Sequence, residues 1–248
     1  MRSSILVKIG GKILEDSTNL ERTLTQFKQL LFTDKILDKI LILPGGGTYA
    51  NFVRMIDRKL NIGNTLAHWM AIYAMDENAK ELYEKHKHDI LLIKTFTQCK
   101  QVFEDPKEKG IYVFSPFTYL YESDPLPHSW EVTSDSIAVF LSHSLNLKVC
   151  FLIKDVDGIY DKNNQIIKKI TANDLLRLME NDGLRKLTSK KKEGEKISRP
   201  VDPYVFTLIN KYKTSCTILN GVSENYSILE YFKTPNEKFK RYTKIFPS

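Results

Sequence analysis

Four short stretches carry residues whose types and spacing could do chemistry. Lys8 lies in the apolar run Ile5-Leu-Val-Lys-Ile9, just ahead of Gly10-Gly11. An ammonium in such a run loses solvation that only a partner can restore. At a strand end it can point at a phosphate, with Gly10 and Gly11 offering N–H groups free of side chains. The alternative is an edge-strand lysine facing water. Pro44-Gly45-Gly46-Gly47 follows a second apolar run and precedes a helix, as an anion cradle or an ordinary tight turn would. Thr133-Ser134-Asp135-Ser136 opens an apolar helix, whose free N–H groups these side chains can accept and whose start attracts anions. Lys154-Asp155-Val-Asp157-Gly158-Ile-Tyr160 follows the apolar run 147–153, at the end of a strand where open α/β sheets bind ligands. A cation, bare amides and carboxylates at several strand ends are the parts of a phosphate-handling site. Phosphoryl transfer needs positioning and charge neutralisation more than covalent chemistry. No Walker A pattern and no Rossmann fingerprint occurs.

The elements that must position these residues alternate. Apolar runs at 5–9, 40–43, 89–93, 110–114, 147–153 and 214–219 read as strands. Between them, helical spacing places Leu20, Leu24, Phe27 and Leu31 on one face after a Ser17 cap, and Val53 and Ile56 on another. Residues 65–86 form a longer helix, and 115–130, with four prolines, an irregular crossing segment. Residues 161–165 turn into a short strand at Ile166-Ile167. Thr171 caps a helix with Asp174 three residues on. Residues 187–200 form a basic loop, Asp202 caps a helix with Pro203 at its first position, and 223–232 is a last helix before a polar, aromatic tail. This alternation predicts an α/β fold, a mainly parallel sheet with helices on both faces.

The chain has 248 residues, 42% hydrophobic and 27% charged, enough for one large domain or two packed lobes. No apolar run is long enough to span a bilayer, and the start lacks a signal-peptide pattern, which points to a cytoplasmic protein. Cys99, Cys150 and Cys216 have no metal spacing and read as reduced core thiols. The net charge of +7 suits an anionic small molecule, or nucleic acid, for which no recognised motif is present.

Taken together and in this order, Lys8-Ile-Gly-Gly11, Pro44-Gly-Gly-Gly47, Thr133-Ser-Asp-Ser-Ile-Ala138 and Lys154-Asp-Val-Asp-Gly-Ile-Tyr160 resemble the amino acid kinase family. The resemblance covers residues 4 to about 221. It implies a three-layer αβα sandwich, with an acceptor-binding lobe at 1–130 and an ATP-binding lobe at 131–248 on one continuous sheet. ATP with Mg2+ would be the phosphoryl donor, and no metal ligand is assigned within the chain. Carried over residue by residue, Lys8 would neutralise the phosphoryl group in flight, and Asp135 would hold Lys8 and other cations in place. Gly10, Gly11, Gly46 and Gly47 would offer N–H groups. Lys154, Asp155, Asp157, Gly158 and Tyr160 would frame the nucleotide. The family's lysine-bearing loop is replaced by Gly194-Glu-Lys-Ile-Ser-Arg-Pro-Val-Asp-Pro203, where Lys196 or Arg199 could substitute or simply face solvent. Family likeness further implies a homo-oligomer built through amino-terminal helices, with neither nucleic acid nor membrane as partner.

For the acceptor, the histidine that isopentenyl phosphate kinases carry after the glycine run is missing, and His68 stands where uridylate kinases show an aspartate. The segment 67–76, with Val201-Asp-Pro-Tyr204 and Ile218-Leu-Asn-Gly221, most resembles the archaeal methanofuran-pathway subgroup, whose members phosphorylate an aminomethylfuran-methyl phosphate. A small-molecule phosphate monoester is then the expected acceptor. UMP, isopentenyl phosphate or an amino-acid carboxylate are the alternatives, as is a non-catalytic relative. Arg54 or Lys12 could grip its phosphate. Trp69, Met70 or Tyr73 could pack on its ring. Asp76 or Asp57 could meet an ammonium. His68 could bond the ring oxygen or phosphate, or be a core histidine.

Overall fold

A computed structural model describes residues 4–185 and 200–248. Its sheet is centred on β1 (Ser4–Ile9). Beside β1 lie β2 (Lys39–Pro44) on one side and β5 (Val149–Lys154) on the other, both parallel to it. The full order is β3 (Ile90–Ile93), β4 (Gly110–Phe114), β2, β1, β5, β7 (Ser215–Asn220), β8 (Thr243–Phe246), β6 (Lys169–Thr171). Among the described strands of this sheet, β7 and β8 pair antiparallel and the other neighbours parallel. The chain runs from β1 to β2, out to β3 at the edge, back to β4 between them, and then to β1's other side at β5. The carboxyl ends of β1, β2 and β5 therefore meet at a topological switch point, where such sheets leave a crevice.

Strand alternation divides the core. Ile5, Val7 and Ile9 of β1 and Ile40 and Ile42 of β2 pack on one face, against α2 (Ser17–Lys28), its π-helical continuation Gln29–Thr33, and α10 (Ser227–Lys233). Leu6 with Leu41 and Leu43 face the other way. They pack with α7 (Ser134–Ser144), α9 (Tyr204–Tyr212), α8 (Ala172–Glu180) and the first half of α4 (Asn64–His86). The result is the expected αβα sandwich. Lys8 shares Leu6's face, so its side chain projects towards α7. The remaining helices are α1 (Gly11–Leu14), α3 (Gly47–Leu60), α5 (Phe96–Glu104) and α6 (Phe117–Ser123).

Several local expectations need correction. Asp16, not Ser17, caps α2, accepting the Asn19 N–H at 2.9 Å. Residues 115–130 are not wholly irregular, because α6 lies within them. Ile166 makes a single bridge to Tyr160, and the strand of that region is β6. The polar tail supplies β8, which pairs with β7 through Cys216, Thr217 and Ile218. The basic loop, with Lys196 and Arg199, lies outside the described residues.

Candidate active site

Lys8 ends on Asp135, and so does Lys154. The Lys8 Nζ lies 3.0 Å from Asp135 Oδ1, and the Lys154 Nζ donates to Asp135 Oδ2 at 2.7 Å. Lys8 and Asp135 are 7% and 4% exposed, so little water screens the pair. Burial pushes the Lys8 ammonium below its ordinary pKa, and Lys154 adds to this, while Asp135 opposes it. Burial alone would raise the Asp135 carboxyl. The two lysines, Lys154 first, outweigh it and hold Asp135 well below the usual carboxylate range. Asp135 is therefore a fixed anion between two cations and too weak a base to take a proton. Thr133 caps α7, accepting the Asp135 N–H at 3.3 Å, which fixes where the carboxylate starts from.

The glycine turns close on this cluster from β1 and β2. A methyl group on Gly11 would sit 2.6 Å from Gly47 Cα, and one on Gly45 would sit 3.2 Å from Lys8 Cε. Gly47 has φ +53°, a conformation side chains disfavour. Glu15 Oε1 accepts the Thr48 N–H at 2.5 Å, and the Asn78 amide donates to the Gly45 carbonyl at 2.6 Å, so both turns are braced. One expected donor is lost. The Gly10 N–H donates to the Ile153 carbonyl at 3.0 Å, in continuation of the β1–β5 ladder, and is not free for a phosphate. Gly11, Gly46 and Gly47 remain as candidates.

From Gly46 a cleft of about 530 Å³, counting its open mouth, runs along α3 and α4. Arg54, Asn64, His68, Met75, Ser129, Trp130, Thr133 and Ser134 are among the residues lining it. Arg54 stacks 4.5 Å over the Trp130 ring, whose indole N–H donates to Asp57 at 2.7 Å. His68 stacks on His128 at 4.6 Å, and burial, then His128, brings its pKa down to about 4. It is neutral at pH 7. Among the described residues no carboxylate lines the cleft. Asp57 is engaged with Trp130, and Asp76 caps α6 through the Phe117 N–H at 2.8 Å, so neither candidate for an ammonium partner faces the cleft. Met70 and Tyr73 line a separate open groove with Trp69, Tyr49 and Phe52. The aromatic wall of the cleft is Trp130, which the sequence left at the end of a proline-rich segment.

Past β5, Asp157 gathers residues from three elements. Its Oδ1 accepts from Asn220 Nδ2 at 2.7 Å, and its Oδ2 accepts from the Tyr160 hydroxyl at 3.3 Å and lies 3.5 Å from Arg241. Arg185 stacks 5.2 Å from the Tyr160 ring. Gly158 has φ +152°, and a methyl there would sit 2.6 Å from Thr243 Oγ1. Arg185 and Arg241 have no site role in the sequence reading, and Asn220 enters it only within Ile218-Leu-Asn-Gly221. Lys12, considered for the acceptor phosphate, instead pairs with Asp155 at 2.6 Å across the ends of β1 and β5.

Lys8, Lys154, the glycine turns and Asn220 sit at the carboxyl ends of the parallel strands β1, β2, β5 and β7. Residues 3–220 match the model of the amino acid kinase family. The chain belongs to the amino acid kinase family. It is 35% identical over 218 residues to the [5-(aminomethyl)furan-3-yl]methyl phosphate kinase of Methanocaldococcus jannaschii, 87% of each chain being covered. A uridylate kinase of Thermoplasma volcanium is 24% identical over 65% of each chain. The UMP kinase of Ureaplasma parvum shares the fold with a TM-score of 0.64 at 19% identity, over 99% of both chains. This kinase is thus a phosphotransferase. Its Lys154, grouped by sequence with the nucleotide residues, belongs by position to the Lys8–Asp135 cluster. Among the described residues no group of three His, Cys, Asp or Glu could hold a metal ion, and no helix is long and apolar enough to cross a membrane.

Asp157 ties together what this amino acid kinase places beyond β5. Asp157→Asn keeps its shape but loses the charge beside Arg241. We expect the apparent KM for ATP to rise by about tenfold with the acceptor KM little changed, as for a lost charge-assisted contact. Steady-state kinetics with each substrate varied in turn checks this. A rise confined to the acceptor KM would show that the roles of the two ends are reversed.

Proposed function

We propose that this kinase transfers the γ-phosphoryl group of ATP to a small phosphate monoester, making a diphosphate, and that the acceptor is an aminomethylfuran-methyl phosphate. The observation that carries the reading is the position of the Lys8–Asp135–Lys154 cluster, between the glycine turns and at the head of the Arg54 cleft. In this reading residues 1–130 take the acceptor and residues 131–248 the nucleotide. Lys8 meets the charge of the phosphoryl group in flight, and Asp135 keeps Lys8 and Lys154 aimed at it. Gly11, Gly46 and Gly47 offer their N–H groups to the same oxygens. Mg2+ would enter on the phosphates of its substrate, MgATP.

The cleft supports a phosphate at one end and a flat ring beside it. The Arg54 fork can grip two phosphate oxygens while Trp130 holds its plane. The acceptor's ammonium then meets neutral acceptors, the side chains of Asn64 and Ser129 and the unprotonated ring of His68, rather than a carboxylate. Neutral His68 can accept an N–H; a protonated one would repel the substrate. The M. jannaschii relative's substrate supports the same choice. Arg54→Met should raise the acceptor KM by on the order of tenfold or more and leave the KM for ATP unchanged, since a charge-assisted fork is lost at one end only. An unchanged acceptor KM would take Arg54 out of the site.

The acceptor itself is tested by one-pot competition. The furan phosphate, UMP, isopentenyl phosphate and acetylglutamate are mixed with limiting ATP and the products separated. Preferential phosphorylation of the furan is expected, and robust conversion of another acceptor with none of the furan would sink the assignment. We further infer a homo-oligomer. The exposed side chains Tyr49, Phe52 and Tyr73 of α3 and α4 form an apolar face larger than single scattered residues need. Light scattering should give a multiple of the chain mass; the mass of one chain would contradict this.

A further inference from the structure

Asp202 is the buried acid that the reaction as described does not use. It follows the basic loop, precedes α9, and is 7% exposed. Five donors converge on its carboxylate. Oδ2 accepts the Thr133 N–H at 3.0 Å, the Thr133 hydroxyl at 2.7 Å and the Ser136 N–H at 3.0 Å. Oδ1 accepts the Ser136 hydroxyl at 2.5 Å and the Val205 N–H at 3.1 Å. One carboxylate thus caps the first turns of both α7 and α9, and Asp135 lies between two of its partners. Five donors suit an ionised carboxylate, which accepts on both oxygens and donates on neither.

Charge makes the same point. Lys8 and Lys154 are two cations facing one anion, Asp135, in a place water hardly reaches. Asp202 is a second buried anion, bound to residues on either side of Asp135. We propose that Asp202 is a positioning residue of the phosphoryl-transfer centre: it fixes the turn that carries Asp135 and brings a second buried carboxylate to residues flanking it. The charged groups that act on Lys8 are Asp135 from α7, Lys154 from β5 and, least of the three, Asp202 ahead of α9. Burial pulls the Lys8 pKa down, Asp135 opposes it, Lys154 adds to it, and Asp202 lends a smaller upward push. Burial, then Asp135, pushes Asp202's own carboxyl upward, and the Ser136 and Thr133 donors oppose this. The inference uses the kinase reading for its consequence but not for its geometry.

The sign follows directly. Removing the Asp202 charge makes it easier for Lys8 to lose its proton, so activity that needs the cation is lost at lower pH. In Asp202→Asn, kcat should fall by about tenfold, as for a mispositioned catalytic group, with its alkaline limb displaced downward. Ser136→Ala removes one bond and leaves the charge, so its alkaline limb should stay with the wild type. Lysine Nζ NMR on 15N-labelled protein reads the same shift without turnover. Should the wild type prove inactive, the kinase reading fails while the NMR titration still decides this one. Should Asp202→Asn not fold, Thr133→Val/Ser136→Ala takes both hydroxyl donors and should lower kcat in folded protein. A wild-type alkaline limb and Lys8 titration in Asp202→Asn, or wild-type kcat in the double variant, would overturn the proposal.

Discussion

Replacing Lys8 by alanine should lower turnover by on the order of a hundredfold or more while the KM for ATP moves only a few-fold. The expectation rests on where the cation sits. Its Nζ is held 3.0 Å from Asp135, at the meeting of the β1 and β2 glycine turns, with almost no water around it. A cation preorganised in such a place stabilises charge as it shifts in the transition state, with no solvent reorganisation at that moment. In the proposed reading the nucleotide's other end is met elsewhere, around Asp157, so ground-state binding should survive. Steady-state kinetics and binding of a non-hydrolysable ATP analogue separate the two quantities. An equal loss of ATP binding would make Lys8 a ground-state anchor only.

Asp135→Asn should damage both activity and stability. The variant leaves Lys8 buried beside the half-buried Lys154 with their common anion gone, and breaking a buried pair in this way costs about 3–5 kcal/mol. That is a large part of the roughly 5–15 kcal/mol that holds a typical domain. Urea unfolding at neutral pH should show the loss as a lower midpoint. The pH dependence has a definite sign. Burial pushes the Asp135 carboxyl up, but Lys154 and Lys8 hold it below its ordinary value. Its stabilisation is therefore present above the unfolded value of about 4 and is lost as pH falls through the folded value. The variant should lack this acid-side loss. A variant with the wild-type midpoint at neutral pH would contradict the ion cluster.

Lys8, Asp135 and the glycine turns were legible in the sequence because each breaks a local pattern. A lysine inside Ile5–Ile9, three glycines between a strand and a helix, and an acid one residue into an apolar helix all stand out without knowledge of the fold. What stayed hidden depends on partners distant in the chain. Asp202 meets Thr133 and Ser136 across more than sixty residues, and Trp130 meets Arg54 only after α3 and the proline-rich segment have folded together. Lys154 looked like part of its own turn because the sequence does not show that its side chain turns back to Asp135, nineteen residues earlier. Strands β6 and β8 were missed for a different reason. They have three and four residues, carry lysines and close one end of the sheet, β6 as its edge strand, so they show little apolar periodicity. Gly10 shows the limit of motif transfer. The residue stands where the family pattern has it, but its N–H serves the β1–β5 ladder.

The central claim is that the lysine cluster passes a phosphoryl group from ATP to a phosphate monoester. The most direct measurement is 31P NMR of the purified kinase with ATP, Mg2+ and the aminomethylfuran-methyl phosphate. The account predicts that the monoester resonance is replaced by two mutually coupled resonances of a diphosphate, appearing in step with ADP. Conversion of ATP to ADP and inorganic phosphate with the monoester untouched, or no conversion at all, would contradict it.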